Sequence, residues 1–357
     1  MKSAPVQNSR YSQSVINAAA KGLSIFLLFH FLSFFACAQT DTSTHSSSSI
    51  NLKKYYDPAL ILQGSLNDPA GLAPKQKKTR QLFIGAANFA GYGGSLLVLN
   101  QAWYANYPRS SFHTFNDDGE WLQMDKVGHG WTAYNTGRAS AALWRWAGLS
   151  QKKAALVGGL SGAGYLTIIE FLDGHSSQWG WSWGDMIANI SGSGMFIAQE
   201  LGWKEQRIQY KFSFHRKHYG EAMLDARADD LFGSSWYERM LKDYNAQTYW
   251  LSVNLHSFLK QSHLPAWLNV AVGYGADGMY GGFTNRATDE NGTVIFDRRD
   301  IPRVRQFYIA PDIDFTKIKT NKKWLRTVFF ALNAFKCPAP ALMLDGKGKL
   351  TAYALYF

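Results

Sequence analysis

Residues 82–99 run eighteen positions without a charge, and residues 154–172 do the same apart from Glu170. Uncharged runs of this length predict helices that either sit in a core or cross a membrane. The first run has Lys75, Lys77, Lys78 and Arg80 before it and Trp103, Tyr104 and Tyr107 after it. Basic and aromatic flanks make it a candidate span, and the alternative is a buried helix of a soluble bundle. Gly85, Gly91, Gly93 and Gly94 within it would let helices approach closely. Between the two runs, residues 125–147 predict a half-apolar helix on which Asp125 and His129 share a face. Ser150 is placed to cap the next helix, with Gly158 and Gly162 as its small packing face and Gly174 as its terminator. A fourth helix is expected over residues 185–201, capped by Asp185, with Gly192, Ser193 and Gly194 toward a neighbour.

Beyond Trp203 the period changes from helical to two. Residues 207–215, 249–258, 267–275, 305–315 and 349–357 alternate as strands do. Glycines around Gly273, Gly278, Gly281 and Gly282 predict turns or bends. About five strands cannot close an eight-stranded barrel, so the expectation is an open or partial sheet whose edges the helices cover. Residues 322–335 predict one amphipathic helix, with Lys319, Lys322, Lys323 and Arg326 available to headgroups. The fold class is therefore α+β: a Gly-rich, membrane-associated four-helix bundle over 79–205, then an antiparallel β region over 206–357.

The N-terminal part changes the address rather than the fold. Lys21 precedes an uncharged run from Gly22 to Ala36, and Ala36-Cys37-Ala38 offers a cleavage site, so residues 1–38 read as a signal peptide. Lipidation at Cys37, or retention as a plain anchor, are the alternatives. Residues 39–78 read as a loop-like, disordered tether, with Pro58, Pro69 and Pro74 breaking any long helix. Cleavage after Ala38 would leave Cys337 alone and exclude an intramolecular disulfide. The net charge of +11 becomes +8 without Lys2, Arg10 and Lys21. Such a surplus suits anionic lipid or nucleic acid, and since no nucleic-acid motif accompanies it, lipid is the expected partner. Aromatic residues make up 15% of the chain, beyond the needs of an ordinary soluble domain and in keeping with a membrane interface.

The candidate chemistry lies between Met124 and Trp203. An Asp four residues from a His can orient the imidazole, and Glu170 opposes the helix dipole at the end of an apolar helix. Asp125, His129, Glu170, Asp185 and Asn189 are expected to converge, with Lys126 as a salt-bridge partner and Trp181 and Trp183 as a stacking or interface pair. One His among carboxylates is a thin ligand set for zinc, and nothing in the sequence implies a metal or cofactor. There is no G-x-S-x-G elbow, phosphate loop or HExxH. The pattern Asp125-Lys126-x-x-His129, Glu170, Trp181-Ser182-Trp183-x-Asp185, Gly192 and Gly194 resembles the YfiM-type family of predicted periplasmic lipoproteins (domain of unknown function 2279). More remotely, the order of these residues resembles the VanZ-like membrane proteins. The C-terminal alternation ending in Phe357 resembles the last strand of outer-membrane β proteins. These resemblances imply an envelope protein at the outer membrane or periplasmic face and name no substrate. Two functions follow as expectations. The first is a noncatalytic scaffolding or assembly role involving membrane lipid and other envelope proteins. The second is an enzyme or binder acting on a lipid-linked or cell-wall substrate, with His129 as base, Asp125 orienting it and Glu170 as acid.

Overall fold

The computed structural model describes residues 72–100, 108–289 and 291–356. The expected signal peptide, the flank formed by Trp103, Tyr104 and Tyr107, and Phe357 lie outside them, as does the expected tether up to residue 71. The end of that tether is helical instead. Helix α1 (Pro74–Leu99) starts with Pro74 at its first position, where a missing N–H costs nothing, so this proline opens the helix rather than breaking it. Lys75, Lys77, Lys78 and Arg80 therefore sit inside α1, and the Arg80 guanidinium lies 4.3 Å over the Trp146 ring.

Helices α2 (Met124–Trp146), α3 (Gln151–Asp173) and α4 (Trp183–Gly202) pack on one another as a three-helix core, with α1 touching α2 more lightly than four equal helices would. Glycine sets the spacing. A Cβ on Gly158 would fall 2.5 Å from the Ala141 nitrogen, and one on Gly192 would fall 2.1 Å from the Gly130 carbonyl oxygen. Gly194, expected at the same contact, faces open space, as do Gly93 and Gly94 of α1. Ser150 caps α3 as expected. Gly174 follows α3 in a right-handed conformation (φ −58°), so its lack of a side chain serves close approach to Phe112 rather than chain reversal. Among the described residues, Gln151–Asp173 is the one helix long and apolar enough to cross a membrane, and the expected span over 82–99 is not.

The β region begins with β1 (Ile208–Phe214), followed by α5 (Ala222–Phe232), α6 (Trp236–Lys242), β2 (Gln247–Asn254) and the short α7 (Leu255–Phe258). Strand β3 (Leu268–Asp277) comes next, then a small hairpin of β4 (Arg286–Thr288) and β5 (Val294–Asp297). Strand β6 (Val304–Ile313), α8 (Lys323–Leu332), β7 (Ala339–Asp345) and β8 (Leu350–Tyr356) complete it. Among the described residues six strands form one antiparallel sheet in the order β1-β2-β3-β6-β7-β8, which does not close into a barrel. Strand β2 stops at Asn254, short of the expected 258, because the Asn254 side chain turns to cap α7. Gly273 is not a turn: it lies mid-strand, where a Cβ would meet the Trp250 ring at 2.7 Å.

The sheet curls until Tyr356 of β8 reaches Trp250 of β2, with ring centroids 6.0 Å apart. The free edge of β1 is not covered by the bundle. It is met by the segment after α8, where Phe212 donates to the Ala334 carbonyl (3.0 Å) and Lys336 donates to the Phe212 carbonyl (2.8 Å). The bundle instead packs on the outward face of β1 and β2. There the Tyr210 hydroxyl donates to the Val127 carbonyl, and Trp131 packs on Phe212 and Tyr249.

Candidate functional site

The site forms where α2, α3 and α4 meet the loop 108–119. A left-handed run at Trp121, Leu122 and Gln123 (φ 45°, 52° and 65°) leads into α2. Three such non-glycine residues in a row are strained, and neighbours hold them: Trp121 packs on Phe232 and Tyr244, and the Tyr274 hydroxyl donates to the Leu122 carbonyl. This turn sets Asp125 and Lys126 in the first turn of α2 and His129 one turn on.

The Trp181-Ser182-Trp183-Gly184-Asp185 stretch supplies three local devices. Ser182, not Asp185, caps α4 by accepting from the Asp185 N–H at 3.1 Å. Asp185 lies inside the first turn, leaving its carboxylate free for Lys126, whose Nζ lies 3.1 Å from it and 2.8 Å from Asp117. Gly184 makes the room, since a Cβ there would fall 2.7 Å from the Lys126 side chain.

The rest of the cluster is linked in sequence. The Ser182 hydroxyl donates to Asp117 at 2.6 Å, and the Ser182 N–H donates to Glu170 at 3.3 Å. Glu170, fully enclosed, approaches His129 Nδ1 at 3.7 Å. The same nitrogen meets the Asn189 amide oxygen at 3.1 Å, and Nε2 lies 4.0 Å from Asp125. Asp125 in turn accepts from the Tyr244 hydroxyl at 2.7 Å, which ties the bundle to the β region. Buried Asn189 keeps one unpaired donor, Nδ2.

The electrostatics follow from five acids around two cations. Burial, reinforced by Asp185 and Asp173 and only partly offset by His129, pushes Glu170 up to about 8. Burial opposes charge on His129, but Asp125, Asp185 and Glu170 outweigh it and hold the ring at about 9. Asp185 is pushed up to about 6 by burial and Asp125, and Glu120 to about 7 by burial and its acidic neighbours. At neutral pH the cluster is thus a charged imidazole and ammonium beside the Asp117 and Asp185 carboxylates, with Glu170 largely protonated.

The structure brings together Asp125, Lys126, His129, Glu170, Asp185 and Asn189. It does not bring in the two tryptophans. Trp181 packs on Phe112 and Trp183 (centroids 5.9 and 5.4 Å), and Trp183 is 65% exposed, facing away from the cluster. Asp117, Glu120 and Tyr244 belong to the site without a sequence signal for it, and Ser182, quoted in the family pattern, joins it as a cap and donor rather than as an expected site residue. The first two lie in a polar turn, and Tyr244 lies in the link between α6 and β2.

Residues 114–199 match the model of a family described as "Predicted periplasmic lipoprotein (DUF2279)". The matched stretch contains every member of the cluster except Tyr244, and its description agrees with an exported protein on the periplasmic face of the envelope. No curated protein and no solved structure matches the chain. Neither the VanZ-like nor the outer-membrane β resemblance is carried by these comparisons.

Proposed function

We propose that this protein is a noncatalytic, structural component of the cell envelope, held at the membrane, which scaffolds or assists the assembly of other envelope components. One observation carries the reading: the groups that could do chemistry are each engaged by another element of the same chain. Tyr244 engages Asp125, Asp117 and Asp185 engage Lys126, the Ser182 N–H engages Glu170, and Asn189 engages His129. Such a cluster locks the helices to one another and to the β region. Partners of this function are membrane lipid and other envelope proteins.

A second reading, an enzyme or binder for a lipid-linked or cell-wall substrate, is favoured by two details. Asp125, His129 and Asp185 each offer a ligand atom, all within 4.8 Å of one another, and Asn189 has an unused donor. Against it, the Lys126 ammonium already sits on Asp185.

Thermal unfolding separates the two. His129→Ala strands Asn189 and leaves buried Glu170 without its cation, and the structural reading expects a loss of about 1–3 kcal/mol. Glu170→Gln replaces a group held largely protonated in the fold but ionised in the unfolded chain, so at pH 7 it should leave stability unchanged or raised on either reading, and the His129 variant decides. A His129→Ala protein as stable as the wild type, or more so, would favour the second reading.

A further inference from the structure

The six-stranded sheet buries ions beside the aromatic core of Trp250, Tyr308 and Tyr356 and leaves a second apolar face open. Its enclosed face holds ions: Lys211 Nζ lies 2.8 Å from Asp312, and Lys336 Nζ lies 3.8 Å from the same carboxylate, all fully buried. Gln209 donates to Asp314 and Ser252 donates to Asp312, both at 2.6 Å. The open face is apolar. Leu251, Val272, Ile309 and Leu342 stand opposite one another in register across four strands, with Phe307 and Leu344 paired beside them. These six side chains are 39–52% exposed. A sheet in water turns its apolar side inward, and a contiguous apolar patch with ion pairs behind it is the arrangement expected where the outside solvent is hydrocarbon.

We propose that this outward face is a lipid seat on which the protein lies face-on in one leaflet; the envelope reading above supplies the membrane, and the seat names the partner. The open sheet argues against a crossing, because among the described residues β8 has no strand beyond it and its free backbone groups would meet hydrocarbon. Both ends of the patch are basic. At one end Lys319, Lys322 and Lys323 are exposed beside Trp267 and Trp324, and at the other the β7–β8 turn exposes Lys347 and Lys349. An apolar centre with lysines at both ends and tryptophans at one matches acyl chains bordered by anionic headgroups. The same rim argues against a second copy as the occupant, because two identical faces brought together in an isologous pair confront basic rims with each other.

The test uses the full chain mixed with vesicles of phosphatidylethanolamine and phosphatidylglycerol that carry a photoactivatable group in the acyl chain. Cross-linked peptides are located by mass spectrometry. The expected result is lipid attached within residues 304–313 and 339–345, reduced about tenfold by Ile309→Asn with Leu342→Asn, since two amides now meet hydrocarbon. Both positions are half-exposed, so circular dichroism of the double variant should match the wild type. Lipid attached elsewhere but not on these strands would overturn the proposal, and so would protein–protein cross-links between two copies of the face. Either failure leaves the unfolding test of the His129 cluster untouched, so the two claims fall separately.

Discussion

Glu170 and His129 make the cluster sensitive to alkali, and the sign follows from where each proton sits. His129 titrates at about 9 in the folded chain and near 6.5 when unfolded, so its contribution is full below about 6.5 and is lost as the pH rises toward 9. Glu170, held up to about 8 by burial, ionises near 4.3 when unfolded, so its contribution is full below about 4.3 and is lost as the pH rises toward 8. The unfolding temperature should therefore fall from about pH 4.3 to 9, steepest between about 6.5 and 8 where both groups contribute, and Glu170→Gln should remove the part of the fall below about 8; a flat profile in the wild type would contradict the burial of these two groups. At this scale the sequence was partly legible. Asp125 and His129 announce themselves by their four-residue spacing, and Glu170 by standing in an apolar run. The spacing does not announce Tyr244, which arrives from 119 residues along the chain. Ser182 displaces Asp185 as the cap because a hydroxyl three residues ahead of the Asp185 N–H reaches it directly.

Among the elements, the helices of the bundle hold one another through glycines that are not equivalent. Gly192→Ala places a methyl on the Gly130 carbonyl and should force α4 from α2, destabilising by about 1–3 kcal/mol or more. Gly194→Ala, two residues on but in open space, should be neutral or add up to about 1 kcal/mol through helix propensity. Denaturant titration of the pair checks this, and equal effects would refute the helix placement. Periodicity found α2, α3, α4 and five of the six strands of the main sheet to within a few residues. It missed β7, where Pro340 removes a ladder donor and the register shifts between Ala339 and Ala341. Helices α5 and α6 went unread because their apolar positions, Leu224, Ala228 and Phe232 among them, are interleaved with charges and bury against Tyr219 and Tyr280 rather than the main core.

For the molecule as a whole, alternation in the β region was visible in the sequence, but which face it buries was not. Period two fixes that neighbouring side chains point to opposite sides, and leaves open which side is inside. Curling of the sheet around Trp250, Tyr308 and Tyr356, with Lys211, Asp312 and Lys336 buried beside them, decides it and leaves the other apolar face outward. The bundle then rests on the outward face of β1 and β2, and the charge cluster fastens the two parts through Asp125 and Tyr244. An architecture fastened in this way is what a scaffold requires, and its fastening is the central claim. Equilibrium unfolding of Lys126→Ala tests it most directly, because that change leaves Asp117 and Asp185 facing each other without their shared cation. The structural account predicts a loss of about 3–5 kcal/mol. A variant that unfolds at the same denaturant concentration as the wild type, or a higher one, would contradict it and return the cluster to chemistry.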